Sequence, residues 1–315
     1  MYDVIGDIHG QRPALERLLR TLGYDRQGEL WRHRDRTAIF VGDLVDRGPD
    51  SPGTVDLVRT MVEAGTARAV MGNHEYNLLA MHTWDPETGA PARPHGPRQR
   101  EHVRRTLEQY GGSSDAIAEP AGQLALDLDW MRRLPTHLDL GGLRIVHATW
   151  DPPSLARLTD LRPVGEAFDR DAILATGADG TDSWRAIETV LKGREGRTPD
   201  GVVALDAVGR PRRRMRLRWF DAPEGRTWRD YVLQPGLELP DAPLPERVVN
   251  EARPYPADAP PVLFGHYCLP EPGPVIFGPN VGCVDIGAGK GWRLGAYRWD
   301  GERELMPEHG VAIDV

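Results

Sequence analysis

The chain predicts an α/β protein built around a largely parallel sheet, and three observations carry that expectation. Short apolar runs alternate with amphipathic helical segments through the first eighty residues. Each of those runs ends in Gly followed by a polar residue. The last fifty residues, by contrast, read as strands separated by turns.

Taken in order, Tyr2 to Ile5 is a buried strand closed by Gly6-Asp7. Pro13 sits at a first helical position, Leu15, Leu18, Leu19 and Leu22 recur at helical spacing, and Gly23 stops the helix. Ala38 to Val41 is a second strand, closed by Gly42-Asp43. Ser51 and Pro52 open a helix that faces Val55, Val58 and Met61 inward and stops at Gly65. Ala67 to Met71 is a third strand closed by Gly72-Asn73-His74, and a helix follows from Tyr76. Four prolines at 86, 91, 94 and 97 mark residues 84–100 as a loop, and one or two helices occupy 101–134. Leu143 to Val146 is a strand ending at His147. Ser183 caps a helix from Trp184 to Lys192, stopped by Gly193. Pro-rich linkers at 235–245 and 252–261 lead to Val262-Leu263-Phe264, closed by Gly265-His266. Gly282 to Ile286, Arg293 to Trp299 and a short return complete the chain. The organisation expected is a first half over 1–150 with an excursion at 84–138, an insertion or lid over 151–260, and C-terminal strands over 261–315.

Composition narrows the class. The 315 residues carry 39 Lys or Arg against 47 Asp or Glu, a net charge of −8, which argues against a dedicated nucleic-acid partner. Two cysteines, Cys268 and Cys283, cannot build a disulfide framework or a four-thiolate zinc site, and both read as buried thiols. No run of about 18 apolar residues spans a membrane and the N-terminus lacks a signal-peptide pattern, so a cytoplasmic protein is expected.

The chemistry lies where the strands stop. Five strands end in residue types that bind metals: Asp7 with His9, Asp43, Asn73 with His74, His147, and His266. In a mostly parallel sheet those ends share one edge, where ligands bind. A single Asp after a strand is ordinarily a turn or a helix cap. Five such ends with mixed oxygen and nitrogen donors are not explained by turns.

Three segments, Gly6-Asp7-Ile8-His9-Gly10, Gly42-Asp43-Leu44-Val45-Asp46-Arg47-Gly48 and Gly72-Asn73-His74-Glu75, resemble the signature motifs of calcineurin-like metallophosphoesterases. The likeness is to their phosphoprotein-phosphatase branch and, within it, to bacterial diadenosine tetraphosphatase-like enzymes. His147 in Ile145-Val146-His147-Ala148 and His266 in Phe264-Gly265-His266 resemble the two later histidine motifs. The resemblance covers 1–82, 140–150 and 260–300. It implies a sandwich of two mixed β-sheets flanked by helices, here with a helix–hairpin insertion.

It also implies two divalent metal ions: manganese, expected first, or iron, nickel or zinc. Asp7, His9 and Asp43 would bind one ion, and Asp43, Asn73, His147 and His266 the other, with a bridging hydroxide attacking phosphorus. His74 would protonate the leaving oxygen, Asp46 would hold its ring, and Arg47 would grip phosphate oxygens. The fourth motif departs from the family pattern: a second histidine-block loop of His-Gly-Gly type is replaced by His147-Ala148-Thr149-Trp150-Asp151. Substrate contacts from that loop are therefore not carried over.

Outside the motifs, Arg212, Arg214, Arg216 and Arg218 share one face of an alternating strand, with Met215, Leu217 and Trp219 on the other. A turn at Gly209-Arg210-Pro211 would pair it with Val202-Val203-Ala204. Two readings stay open: a charged edge strand, or a basic wall in which Arg216 and Arg218 meet further phosphates. The expected substrate is a small phosphorylated compound or a nucleotide polyphosphate. A phosphoprotein is the alternative, ahead of a nucleic-acid end or a catalytically silent metal-binding regulator.

Overall fold

The computed structural model describes residues 1–93, 96–112, 120–163, 165–197, 204–205, 211–237, 239 and 241–315. The chain begins β1 (Tyr2–Ile5), α1 (Arg12–Thr21), β2 (Asp25–Gln27), β3 (Leu30–Arg32), β4 (Thr37–Phe40), α2 (Ser51–Glu63), β5 (Ala67–Ala69) and α3 (Asn73–Met81). It continues through α4 (Pro97–Gln109), α5 (Gly122–Met131), β6 (His137–Asp139), β7 (Arg144–Val146), α6 (Pro152–Leu161), α7 (Arg170–Gly177) and α8 (Asp182–Lys192). Then come β8 (Glu195–Arg197), β9 (Ala204–Leu205), β10 (Pro211–Arg212), β11 (Arg214–Arg216), α9 (Trp228–Tyr231) and α10 (Glu246–Glu251). Last are β12 (Val262–Phe264), β13 (Val275–Gly278), β14 (Val281–Cys283), β15 (Arg293–Trp299) and β16 (Gly310–Asp314).

Two five-stranded mixed sheets result, ordered β16-β15-β1-β4-β5 and β13-β14-β12-β7-β6. Three neighbouring strands of each are parallel, β1 with β4 and β5, and β7 with β12 and β14. The strand sequences explain the layering. Val4, Ile39, Ile145 and Leu263 point between the two sheets into one core. Their chain neighbours Ile5, Phe40, Val146 and Phe264 point the other way, into the core shared with the helices. Apolar residues at consecutive positions are what a strand buried on both faces requires.

Side chains of α6 and α8, among them Leu155, Leu158, Ile187 and Val190, join that helical core. A separate small core gathers Ala204, Met215, Leu217, Trp228, Tyr231 and Leu244. The alternation in the arginine segment holds from Arg214 onward: Met215, Leu217 and Trp219 are buried, whereas Arg214 is exposed and Arg216 and Arg218 are half-buried.

Its pairing starts as the expected hairpin, with Arg212 opposite Ala204, and then changes partner. β9 and β10 pair over two residues, with Val202, Val203, Gly209 and Arg210 outside the described residues. From Arg214 the partner is β8, which sets Met215 opposite Gly196. The absent side chain of Gly196 leaves room for the Trp228 ring and Leu217, so packing decides the partner. Two smaller differences concern helix starts. The cap of α8 is Thr181, whose hydroxyl accepts from the Trp184 N–H at 3.1 Å, while Ser183 takes hydrogen bonds from Arg157. α3 starts at Asn73 rather than Tyr76, which places Asn73 and His74 in its first turn. Both cysteines are free thiols, Cys283 buried and Cys268 half-buried.

Candidate metal centre

The six parallel strands deliver their ends to one place. β1 leads to Asp7 and His9, β4 to Asp43, β5 to Asn73 and His74, β7 to His147 and β12 to His266, and all of these side chains are buried. His9, Asp43 and His74 place donor atoms within 4.8 Å of one another, as do Asp43, His147 and His266. Asp43 belongs to both groups. Asp7, expected as a ligand, is in neither group at that distance; its two carboxylate oxygens accept from the His266 backbone N–H at 3.1 Å each.

Close backbone approach is part of this design. A Cβ on Gly265 would collide with the Asp7 carboxylate, and one on Gly72 with Asp43. The turns are also strained: His9, Asp43, Asp46, Arg47 and His266 all have φ between 51° and 72°. Such left-handed residues cost about 1–3 kcal/mol each and survive only where surrounding structure holds them.

Protonation follows from the partners. His147 Nδ1 lies 2.7 Å from the Val41 carbonyl and His9 Nδ1 lies 2.9 Å from the Val45 carbonyl. A carbonyl can only accept, so each Nδ1 carries the proton. Burial, aided at His9 by Arg47, holds the His9 imidazole well below its ordinary range, and burial brings His147 down to about 4. Both rings are therefore neutral near pH 7, with bare Nε2 atoms. His147 Nε2 faces Asn73 Oδ1 at 3.1 Å and Asp43 Oδ1 at 3.4 Å, and His9 Nε2 faces Asp43 Oδ2 at 3.4 Å. Buried His266 Nε2 has no hydrogen-bond partner among the described residues, and burial and Arg216 keep that ring neutral too. Lone pairs converge here without protons between them. Burial pushes Asp43 up to about 7, and burial with the Asp285 and Asp43 charges raises Asp7 well above the usual carboxylate range. A site of bare imidazole nitrogens and buried carboxyls that lose their protons to a cation fits divalent metals.

The model for calcineurin-like phosphoesterases matches residues 2–187. The chain belongs to that family. It is 31% identical over 242 residues to a symmetrical bis(5'-nucleosyl)-tetraphosphatase of Ralstonia nicotianae, covering 71% of this chain and 74% of that protein. A protein of the same name from Paracidovorax citrulli is 32% identical over 246 residues, with 71% and 77% covered. Another, from Vibrio cholerae, is 27% identical over 311 residues, covering 94% of each. The chain is thus a phosphoesterase of a family that works with divalent metal ions, and its donor groups match that chemistry.

Beside these donors stand His74 and the residues that hold its ring. His74 Nδ1 donates to Asp46 Oδ2 at 2.5 Å, and Arg47 donates to His74 Nε2 at 3.1 Å. Although expected outside the ligand set, His74 sits within the first donor group. Arg216 reaches toward the cluster and donates to the His266 carbonyl at 3.3 Å, whereas Arg218 pairs with Asp221 at 2.7 Å.

Four supporting residues went unread in the sequence. Glu75 takes four backbone N–H groups, from Asp43, Leu44, Val45 and Gly72, at 2.8–3.3 Å, tying the Asp43 loop to the start of α3. Burial and the nearby Asp43 charge raise this carboxyl to about 7, while four converging donors favour its ionised form. From α4, Thr106 donates to Asp46 Oδ1, and Gln109 bonds Ser51 N and Gly48 O, bracing the strained loop. Asp285, after β14, is the sixth strand end and accepts from Cys268 N and Gly287 N. Its signal was present: a carboxylate following an apolar run, as at Asp7 and Asp43.

Proposed function

We propose that the chain hydrolyses phosphoanhydride bonds of nucleotide polyphosphates, cutting a dinucleoside tetraphosphate at its centre. The observation that carries the reading is the pair of donor groups sharing Asp43 at the strand ends. The relatives matched over most of the chain bear a symmetrical tetraphosphatase name, which supports the substrate.

Asp7, His9 and Asp43 would hold one ion, and Asp43, Asn73, His147 and His266 a second. Manganese suits this thiolate-free set of oxygen and nitrogen donors. Bound there, two divalent ions would acidify water and stabilise charge on phosphate oxygens.

The chain's own residues do the rest. Arg47 turns its planar fork from His74 Nε2 to the phosphate, which frees that nitrogen to carry a proton to the leaving oxygen. Asp46 keeps the ring aligned and offsets its positive charge. Arg216 lies on the insertion side, within reach of phosphates beyond the one attacked. A nucleotide substrate sets this enzyme in the cytoplasm, and among the described residues no helix is long and apolar enough to cross a membrane.

The test is a panel of diadenosine tetraphosphate, ATP, p-nitrophenyl phosphate and a phosphopeptide, scored by kcat/KM with product analysis. The reading requires the dinucleotide to lead and to yield two molecules of ADP. A phosphopeptide leading the panel would replace it with the protein-phosphatase reading.

A further inference from the structure

A cavity of about 380 Å³ is lined by residues that include Pro270, Glu271, Ile286, Trp292, Arg293 and Asp314. Its volume falls in the range of small-molecule sites. The connection to the centre is the turn at residues 287–291. Gly289 lies so close to the site that a Cβ there would collide with the His9 ring and come within 2.8 Å of Arg47 Nη1. Gly287, at φ 95°, lies against the Trp292 ring in the same way. One turn of chain therefore touches His9 and Arg47 at one point and seats an indole at another.

Trp292 is 40% exposed, unusual for so large an apolar side chain next to a polar centre. Lys290 holds its ammonium 4.5 Å from the centre of that ring. The charges are sorted along this path. Arg47 stands at the metal centre beside His74, and Lys290 stands between the turn that touches His9 and the indole. The cavity has carboxylates at its rim: Glu271, and Asp314 paired with Arg293 at 2.8 Å. Phosphates are drawn to the first region and repelled from the second. A flat, uncharged ring bearing amino groups suits the second, where an aromatic face, prolines and carboxylate acceptors meet.

We propose that Trp292 and Lys290 form a nucleoside subsite, in which the base takes the Trp292 face that Lys290 covers here and Lys290 turns to a phosphate remote from the cleaved bond. The subsite rests on the nucleotide polyphosphate reading given above and makes Trp292 a specificity-determining residue. Stacking needs only a π-face, so any nucleobase can stack there, and the carboxylate acceptors favour one that carries an amino group.

The experiment measures kcat/KM for diadenosine tetraphosphate and for p-nitrophenyl phosphate in the wild type, W292A, W292F, W292L and K290Q. The dinucleotide-to-aryl ratio should fall about five- to a hundredfold in W292A, as loss of base stacking does in other proteins. W292L, which keeps bulk without a π-face, should fall similarly, and W292F should keep most of the ratio. K290Q should raise KM for the dinucleotide more than for the aryl ester. If W292A proves poorly folded, the W292L and W292F pair decides alone. Equal ratios in wild type, W292L and W292A would overturn the subsite while leaving the nucleotide reading intact. A wild type that cleaves the aryl ester but not the dinucleotide would remove that reading, and the subsite with it.

Discussion

Replacing Asp46 with Asn tests the acid in isolation, because it exchanges one oxygen for an amino group without changing size. In the structure Asp46 is buried, receives the His74 Nδ1 proton at 2.5 Å and is held on its other oxygen by Thr106. Across the ring, Arg47 stands 3.1 Å from Nε2. A protonated His74 would thus sit between one anion and one cation, and the substitution removes the anion. At an effective dielectric constant of about 20, a unit charge pair roughly 4 Å apart is worth about 4 kcal/mol. At 1.36 kcal/mol per tenfold, that is about a thousandfold in rate, inside the 10²–10⁴ a general acid usually contributes. The loss should depend on the leaving group. An alkoxide needs the proton most, and a nitrophenolate or a nucleoside diphosphate, being weakly basic, needs it far less. Asp46→Asn, like His74→Asn, should therefore lose about a thousandfold in kcat/KM on an alkyl phosphate and much less on p-nitrophenyl phosphate. Thr106→Val, which removes one support of the carboxylate, should show the same pattern at smaller size. Equal losses on all substrates would refute the acid role and leave Asp46 as a brace of the loop.

Other outcomes follow from the same geometry. Gly265→Ala drives a methyl into the Asp7 carboxylate and toward Val41, so melting should fall by the roughly 1–3 kcal/mol typical of overpacking, and manganese affinity should fall with it; unchanged manganese affinity would contradict the placement of Asp7. Arg216→Ala should raise KM for diadenosine tetraphosphate about tenfold, the scale of one charge-assisted contact, while Arg218→Ala should do less because Arg218 is engaged by Asp221. A larger effect of Arg218→Ala would reverse that order. Metal binding should release protons at pH 6, because Asp43 titrates at about 7 and Asp7 is raised, whereas His9, His147 and His266 are already neutral. Ions bind the deprotonated carboxylates, so affinity should climb as pH rises through about 7. Calorimetry in two buffers of different ionisation heat measures this directly, and an absence of release at pH 6 would speak against it.

How far the sequence reached depended on the range of the interactions involved. The strands that carry Asp7, Asp43, Asn73, His147 and His266 were legible because each is a short apolar run with a polar stop. Asp285 was hidden inside the run read as Gly282 to Ile286, since the strand stops at Cys283 and neighbouring apolar residues masked the end. Glu75 could be named as part of a motif, but its work is done on Asp43, Leu44 and Val45, some 30 residues away, and only the fold brings them together. The hairpin β2–β3 left no apolar alternation to read, being three polar residues paired with Leu30–Arg32. In the insertion the alternation of Met215 and Leu217 was readable, whereas the choice of β8 as partner depended on a gap at Gly196 that only packing reveals.

The central claim is that hydrolysis needs cations held by the donor groups that share Asp43. The direct measurement is diadenosine tetraphosphate hydrolysis by protein stripped with chelator, before and after titration with manganese, beside Asp43→Asn. Hydrolysis should vanish on stripping and return as about two ions bind per chain. Asp43→Asn should stay nearly inactive at any manganese concentration that restores the wild type. Full turnover by the stripped protein, or by Asp43→Asn, would contradict the account.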